Sequence, residues 1–405
     1  MAVNPRYPTG HIPHLSRRQF VKLSSLFATS VGLSTAGCKA ISGGAVSGPD
    51  PVVNTGYLPI TDAAALLAAY DRGFYQAEGL DAQTPRKFRS WDAIANAFMA
   101  REVNVVHLLM PTTVWLRYGQ NFPGKVVAWN HTNGSAITVV PSINRPEDLA
   151  GRNVAVPSWY SIHNMVLQML LRNHGLEAVL KSPDEPLADH EVRLLVLPPP
   201  DMLAALEAGD IAGYIVAEPY NSAAELNRSG KLLRLTGDIW KDHACCVVFM
   251  HEDDITERPA WTQAVVNAIV RAQQWSKANR PELAFLLSKD GGQYMPYELP
   301  VLERVMTYYD NDYYYQQGAL INPGWRSRRI DFQPYPFPSY TTELVTALQE
   351  TLLAGETDFL HQLDPSVVAQ DLVEERFVRQ ALSQVGGPQA FGISLDLSRQ
   401  EKILI

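Results

Sequence analysis

The segment VRLLVLPPPDMLAALEAGDIAGYIVAEPYNSAAEL, which runs from Val192 to Leu226, decides the fold class. Its pattern predicts a strand, a helix, a second strand and the start of a second helix. Strands that alternate with helices in this way are typical of an α/β fold built on parallel sheets. In such folds ligands bind at the carboxyl ends of strands, close to the N-termini of helices.

The same alternation is present earlier in the chain. Residues 146–176 predict a strand, a turn and a helix, and residues 51–60 form a strand signal rich in β-branched residues. Thr61 and Asp62 are suitable N-caps for a helix that should end near Gly79. We expect Asp62 to act as a cap rather than as a ligand.

A second strand, which is mostly apolar, is predicted over residues 103–110 and follows an amphipathic helix over residues 88–103. His107 in this strand is expected to be structural and to face a neighbouring helix. From about Ala260 onward the chain is mostly helical. The tail over residues 346–405 also has a helical pattern, and the sequence assigns it no role.

The length of the chain predicts two lobes, because it exceeds what a single hydrophobic core usually supports. We expect residues 52–140 and 250–405 to form lobe 1, with a helical C-terminal extension, and residues 141–249 to form lobe 2.

The N-terminus has the pattern of an export signal. SRRQFVK, from Ser16 to Lys22, contains twin arginines and precedes fifteen uncharged residues. That apolar run is too short to span a bilayer as a helix, but it fits the middle of a signal peptide. Twin arginines point to the route that exports folded proteins. We therefore expect residues 1–37 to be a signal peptide; a buried N-terminal helix is the alternative.

Cys38 follows three small residues and is expected to be lipidated, because the arrangement resembles a bacterial lipobox. Residues 38–51 are rich in glycine, serine and proline and form a flexible tether. The expected location is the periplasmic face of the bacterial inner membrane.

The composition is that of a packed globular protein, with 46% hydrophobic and 19% charged residues. The formal net charge is -8, and removal of the signal would make it more negative. An acidic chain without a basic cluster argues against nucleic acid as a partner. We expect a monomer without a cofactor.

Cys245 and Cys246 are the cysteines that remain if Cys38 is lipidated. Two cysteines exclude a disulfide framework and a zinc site built from several thiolates. Because neighbouring residues of a strand point to opposite faces, these thiols should not chelate one metal ion easily. No metal site is therefore expected. Three interpretations remain: Cys246 lines a pocket, both thiols are buried and structural, or the pair forms a vicinal disulfide.

Five stretches of this chain resemble one known family. GYLPITDAAALLAAYDRGFYQAEGL (residues 56–80), NGSAITV (133–139), the segment of residues 195–221, GDIWKDH (237–243) and PYPF (334–337) are similar to the cyanobacterial nitrate- and bicarbonate-binding lipoproteins of ABC importers. The resemblance covers residues 52–345. It implies a two-lobed, type II-like periplasmic-binding-protein fold, which closes on a small solute in the interlobe cleft and delivers it to a membrane permease driven by ATPase subunits.

The family's ligand contacts can be carried over residue by residue. Trp91 matches a tryptophan that lies against the planar anion, and His163 matches a histidine at the start of a helix. Ser135 stands where nitrate-type members have a glutamine, and Cys246 stands where they have a lysine. The resemblance therefore implies a pocket at these positions whose anion-binding charge is missing.

Further residues near these positions favour a different ligand. Asp92 and Glu218 supply carboxylates, and Trp159 and Tyr160 supply aromatic faces. Aromatic faces with carboxylates suit a planar cation. We therefore expect guanidinium, ahead of urea, with nitrate, nitrite, bicarbonate or cyanate as the alternative, bound by His163 and backbone amides.

Each of these side chains also has a structural interpretation. Trp91 could be a core residue, His163 a satisfied polar group, and Glu218 part of the hinge. Asp92 could be a solvated acid in the first turn of a helix, where acids are favoured.

Two functions of another class are the alternatives to a solute receptor. One is an enzyme similar to the synthase of the thiamine pyrimidine, and the other is a cytosolic nitrate sensor. The sequence shows no Ser–His–Asp set, no phosphate-binding glycine loop and no clustered metal ligands, so enzymatic activity is not expected.

Overall fold

The computed structural model describes residues 50–308, 311–322 and 328–405. The predicted signal peptide (1–37), the lipidation site Cys38 and nearly all of the tether (38–51) lie outside these residues. Within them, none of the helices combines the length and the apolar character needed to cross a membrane.

A five-stranded sheet combines four strands from residues 55–129 with one strand from residues 246–251. Its order is β4-β2-β5-β14-β6. β2 is parallel to β4 and β5, whereas β14 is antiparallel to both of its neighbours. The strands are β2 (Thr55–Tyr57), β4 (Arg86–Lys87), β5 (Val105–Leu109), β6 (Gly124–Trp129) and β14 (Cys246–His251).

A six-stranded sheet is formed by the middle of the chain, in the order β10-β11-β9-β12-β8-β13. β9 to β12 are mutually parallel where they pair, and β8 runs antiparallel between β12 and β13. The strands are β8 (Ser135–Val139), β9 (Asn153–Val156), β10 (Glu177–Val179), β11 (Glu191–Val196), β12 (Gly213–Ala217) and β13 (Lys231–Leu235).

Helices pack around both sheets, and two short strand pairs complete the fold. The pairs are β1 (Val52–Val53) with β3 (Asp81–Ala82), and β7 (Thr132–Asn133) with β15 (Ile330–Asp331). The α-helices are α1 (Ala64–Asp71), α2 (Phe74–Ala77), α3 (Trp91–Met99), α4 (Met110–Val114), α5 (Ile162–Asn173), α6 (Pro199–Ala208), α7 (Tyr220–Asn227), α8 (Glu252–Glu257), α9 (Pro259–Ala278), α10 (Arg280–Leu287), α11 (Leu299–Met306), α12 (Asn311–Gln316), α13 (Pro338–Gln349), α14 (Pro365–Asp371) and α15 (Arg376–Gln384).

The predicted alternation of strands and helices is present, but the sheets are mixed rather than parallel. The reason is visible in β14, which enters between β5 and β6. Cys246 pairs with Leu109, and Val247 pairs with Trp129, both in antiparallel register. Periodicity reports that a strand is buried on both faces, but not the direction in which it runs.

The helix predicted after β2 differs from the expectation in two ways. Gly73, at φ +70°, separates α1 from α2, because the left-handed conformation ends the first helix. Asp62 does not cap α1: the N-cap is Ala63, and the side chain of Asp62 is fully buried elsewhere.

Sheet membership bears on the predicted lobes. β8 belongs to the six-stranded sheet and β14 to the five-stranded sheet. A division along the sheets would therefore fall before Ser135 and before Cys246, rather than at residues 140 and 249. The two-lobed organisation itself stays a prediction.

The C-terminal tail covers the β6 edge of the five-stranded sheet. The amide of Val126 donates to the carbonyl of Leu372, and the amide of Glu374 donates to the carbonyl of Val126. The carboxylate of Asp371 accepts hydrogen bonds from Arg117 (2.7 Å to Nη2) and from the Tyr118 hydroxyl (2.8 Å). The tail therefore protects an otherwise open sheet edge.

Asp371→Asn should lower the free energy of unfolding by about 1–2 kcal/mol, since hydrogen bonds to a charged group are lost at a partly exposed site. The Arg117 hydrogen bond is the main cause that lowers the pKa of Asp371 to about 2. The contribution is therefore complete above about pH 4 and lost as the pH falls towards 2.

Urea unfolding of both forms at several pH values measures this difference. Asp184→Asn, at an exposed carboxylate, is the matched control and should be neutral. An equal effect of the two variants would contradict the role of Asp371.

Candidate functional site

A cleft of about 770 Å³ opens where elements from both sheets meet. Its lining comes from the N-terminal turns of α3, from α4 and the π-helical turn after it, from the loop between β9 and α5, and from the tail. The lining side chains that carry chemistry are Trp91, Asp92, Thr112, Trp115, Trp159, Tyr160, Glu356, Asp358 and Phe359. The cleft thus lies beyond the carboxyl ends of β5 and β9, as expected for an α/β fold.

Local capping and stacking position the aromatic walls. Ser90 caps α3 through its hydroxyl, which places Trp91 in the first turn, with its indole buried. The ring of Tyr160 stacks on Trp115, with centroids 5.8 Å apart, and on Phe359 at 6.3 Å. The stacking brings together three segments that are distant in sequence.

The charge of the cleft is acidic. Asp92, Glu356 and Asp358 contribute carboxylates to the lining. None of the lining residues, which all belong to the described part of the chain, is a lysine, an arginine or a histidine. Aromatic faces beside carboxylates attract cations, so the cleft chemically suits a planar cation better than an anion.

The structure brings four of the predicted site residues to this cleft: Trp91, Asp92, Trp159 and Tyr160. Sequence reasoning missed Trp115, which follows the β5 end and could have been found from that position. It also missed the acidic rim over residues 354–359, for which the sequence offers no signal, because the tail reaches the cleft only through tertiary packing.

Ser135 and His163, the next two predicted site residues, lie together and are not among the residues that line the cleft. The hydroxyl of Ser135 is 2.9 Å from Nε2 of His163, and Sγ of Cys245 is 3.8 Å from the same nitrogen. All three side chains are buried. Their role as ligand contacts stays a prediction.

A buried thiol–histidine cluster, formed by Asp62, His131, Cys245 and Cys246, lies next to this pair. Oδ2 of Asp62 is 3.0 Å from Nε2 of His131 and 3.3 Å from Sγ of Cys246. The two sulfur atoms are 4.0 Å apart, and both thiols are free. Cys245 and Cys246 therefore do not form a vicinal disulfide in this structure.

The register of β14 explains why these residues meet. Asp62 follows β2, His131 follows β6, and Cys246 begins β14, which runs antiparallel to β6. The amide of Met110, after β5, donates to the carbonyl of Cys245. The carboxyl ends of three strands and the start of the fourth therefore share one edge of the sheet.

The expectation that the two cysteines point apart was wrong. Cys245 lies just before β14, outside the regular strand, so the alternation of faces does not apply to the pair. The expectation that clustered metal ligands are absent was also wrong, since Asp62, His131, Cys245 and Cys246 offer ligand atoms within 4.8 Å of one another. Cys246 directs its sulfur at Asp62 and is not part of the cleft lining.

Mutual electrostatics govern protonation in the thiol–histidine cluster. Burial opposes ionisation of Asp62, but His131 outweighs it and lowers the pKa of the carboxyl. Burial likewise opposes protonation of His131, whereas Asp62 raises its pKa to about 10. The pKa of Cys245 falls to about 5, against the effect of burial, through a hydrogen bond with Cys246 and the charge of His163. The cluster thus holds several charges in a low-dielectric site.

His107 connects the cluster region with the cleft. Its ring lies 5.5 Å from that of Trp91, and its Nε2 accepts a hydrogen bond from the amide of Leu58. Burial is the main cause that lowers the pKa of His107 to about 3, so this imidazole is neutral at pH 7. It is a structural side chain that faces helix α3.

Glu218 has an internal partner instead of a place in the cleft. One carboxylate oxygen pairs with Nε of the buried Arg329, and the other accepts from the amide of Ser222. Arg329 also pairs with Glu225 at 2.9 Å, and Glu225 with Arg304. Burial raises the pKa of Glu218, and the charge of Arg329 opposes that rise. Both oxygens are engaged, so we leave Glu218 out of the proposed ligand set.

Glu218→Gln should lower the free energy of unfolding by about 3 kcal/mol or more, because it leaves an excess positive charge in a buried network. Chemical denaturation at pH 7 measures the change. Glu257→Gln, at an exposed glutamate, is the control. A variant as stable as the wild type would show that Arg329 is adequately neutralised by Glu225 alone.

The sequence model of the NMT1-like family matches residues 47–288. The chain belongs to the NMT1-like family. This membership and the likenesses below confirm the resemblance to nitrate- and bicarbonate-binding proteins.

Three curated relatives illustrate the sequence similarity. The nitrate import ATP-binding protein NrtC of Synechocystis sp. is 31% identical over 56% of this chain and 35% of its own length. The nitrate/nitrite binding protein NrtA of Nostoc sp. is 26% identical over 62% of this chain and 59% of its own length. The bicarbonate-binding protein CmpA of Synechococcus elongatus is 25% identical over 82% of this chain and 77% of its own length. The match thus spans less than two thirds of the first two proteins.

The solved structure of the periplasmic nitrate-binding protein NrtA from Synechocystis is similar in fold, with a TM-score of 0.71. It is 20% identical, and the alignment covers 88% of this chain and 94% of that one. The likeness confirms the predicted α/β fold of periplasmic binding proteins.

Proposed function

We propose that this NMT1-like chain is the solute-binding component of an ABC importer. The names of its relatives support this assignment, since they include nitrate- and bicarbonate-binding proteins and the ATP-binding proteins of nitrate and bicarbonate import. The partners would be a membrane permease and its ATPase subunits. A cleft of about 770 Å³ that is walled by aromatic rings fits the capture of a small molecule.

The proposed solute is a small planar nitrogenous compound, with guanidinium ahead of urea. The observation that carries this choice is the charge of the cleft: three carboxylates line it, and its described lining contains no basic side chain. A guanidinium ion can stack on an indole ring and donate paired hydrogen bonds to a carboxylate. Trp91 and Asp92, adjacent on the first turn of α3, offer that combination.

The alternative solute is a trigonal anion such as nitrate, nitrite or bicarbonate, or the linear cyanate. The printed names of the relatives favour it. Its binding would use His163 and Ser135, which are buried near the thiol–histidine cluster, rather than the acidic cleft. The two candidates thus depend on different residues and can be separated by substitution.

Export and anchoring complete the proposal. The twin-arginine signal over residues 1–37 and lipidation of Cys38 would hold the receptor at the periplasmic face of the inner membrane. An enzyme related to thiamine-pyrimidine synthesis and a nitrate sensor remain the alternatives of another class. Substrate turnover, or a cytosolic location of the uncleaved chain, would favour them.

Titration calorimetry of the protein without residues 1–38 tests the solute directly. Guanidinium, urea, nitrate, nitrite, bicarbonate and cyanate are added separately, in a buffer that contains none of them. We expect micromolar or tighter binding of guanidinium. Tight nitrate binding with no response to guanidinium would show that the solute is the anion and not the cation.

Asp92→Asn should weaken guanidinium binding about tenfold or more, through loss of a charge-assisted hydrogen bond. Glu257→Gln, at an exposed glutamate outside the cleft lining, serves as the charge-matched control. It should leave the dissociation constant unchanged. Equal affinities of wild type and Asp92→Asn would remove this carboxylate from the site.

A further inference from the structure

The thiol–histidine cluster has the composition of a metal site, and the proposed function does not use it. Its four side chains come from three separate segments of the chain. Their ligand atoms all lie within 4.8 Å of one another. We propose that Asp62, His131, Cys245 and Cys246 form a buried four-coordinate site for a divalent transition-metal ion, with Zn²⁺ the best match.

The spacing of the donor atoms agrees with a tetrahedron around zinc. Zinc bonds of about 2.0–2.3 Å to nitrogen, oxygen and sulfur place neighbouring ligands roughly 3.3–3.8 Å apart. Oδ2 of Asp62 is 3.0 Å from Nε2 of His131 and 3.3 Å from Sγ of Cys246, and the two sulfur atoms are 4.0 Å apart. The remaining donor pairs lie within 4.8 Å of one another, so side-chain shifts of up to about 1 Å would complete the geometry.

The hydrogen bonding of the cluster is unsatisfied without a cation. Nε2 of His131 faces both the carboxylate of Asp62 and the amide of Cys246, which lies 3.3 Å away. One nitrogen cannot donate to the first and accept from the second. Buried polar groups usually have partners, so this arrangement calls for a further group.

The donor set determines the class of metal. Two sulfurs, one imidazole nitrogen and one carboxylate oxygen suit zinc or another borderline-to-soft transition metal. Calcium and magnesium prefer sites built from oxygen alone, so this set disfavours them. Complete burial also fits a resident ion with a closed coordination sphere rather than a catalytic ion with an open position.

The ion would stabilise the edge of the five-stranded sheet on which the cleft depends. It would connect the turn after β2, the end of β6 and the start of β14. A cluster held together by hydrogen bonds alone would need no ion and would not respond to chelators. The measured metal content therefore distinguishes a metal-bound cluster from a cluster held together by hydrogen bonds alone.

The first test measures metal in the full chain carrying Cys38→Ser, so that the two described cysteines are the only thiols. The protein is stripped with EDTA, reduced, given Zn²⁺ or Co²⁺, and freed of excess metal by gel filtration. We expect one equivalent of Zn²⁺ by mass spectrometry. The Co²⁺ form should show thiolate-to-cobalt charge transfer and the visible bands of tetrahedral cobalt. Metal content well below one equivalent, or cobalt without thiolate bands, would overturn the proposal.

The second test assigns the ligands. Cys246→Ser and Asp62→Asn should each weaken Zn²⁺ binding by about a hundredfold or more, since even residues behind the ligands change affinity 10–100-fold. His251→Asn, at a buried histidine on the far end of β14, is the matched control and should bind Zn²⁺ like the wild type. Unchanged affinity in both ligand variants would place the metal elsewhere, such as at the pair of His174 and Glu147, and would reject the site.

Stability gives a readout that does not require every variant to fold well. Zn²⁺ should raise the unfolding temperature of the wild type, because a ligand that binds only the native state stabilises it. The rise should be lost in Cys245→Ser.

Guanidinium titration of the EDTA-treated wild type keeps this proposal separate from the proposed function. Zinc binding without guanidinium binding would reject only the proposed solute. Solute binding without zinc would reject only the metal site.

Discussion

The position of β14 in the five-stranded sheet is the constraint on which the rest of the structure depends. Antiparallel hydrogen bonds hold this strand between β5 and β6, and Cys246 lies opposite Leu109. The start of β14 therefore reaches the edge where β5 and β6 end. A shift of one residue would turn its side chains to the other face, and the thiols would leave Asp62 and His131.

The two chemical regions near that edge differ because water reaches one and not the other. In the cleft, Asp92 is exposed, so its charge is solvated and available to a ligand. In the thiol–histidine cluster all four side chains are fully buried, so charges must compensate one another internally. The same carboxylate chemistry thus favours solute recognition at one place and ion coordination at the other. Glu218 shows a third outcome, a carboxylate neutralised by Arg329.

The C-terminal tail is part of the site as well as of the fold. The Tyr160 hydroxyl donates to the carbonyl of Glu356, and Nδ2 of Asn164 donates to the carbonyl of Leu352. These bonds fasten the tail to α5 and the loop before it, which places the acidic rim beside the aromatic walls. The tail also pairs with Val126 at the sheet edge. A segment to which the sequence assigned no role therefore completes the cleft and the sheet.

The sequence by itself predicted the α/β class, because periodicity is a local property, and it predicted the family through a resemblance of motifs. It also named Trp91, Asp92, Trp159 and Tyr160, which the structure brings to one cleft, as ligand contacts; that role stays a prediction. The tertiary structure alone decided the directions of β8 and β14, because antiparallel insertion joins segments that lie far apart in the chain, such as Ala217 with Ser135 and Cys246 with Leu109. It also decided that Asp62 meets Cys246 instead of capping a helix. Local propensity determines which hydrogen bonds a residue can form with its neighbours in the chain. Burial and long-range strand pairing determine which other side chains it contacts in the folded protein.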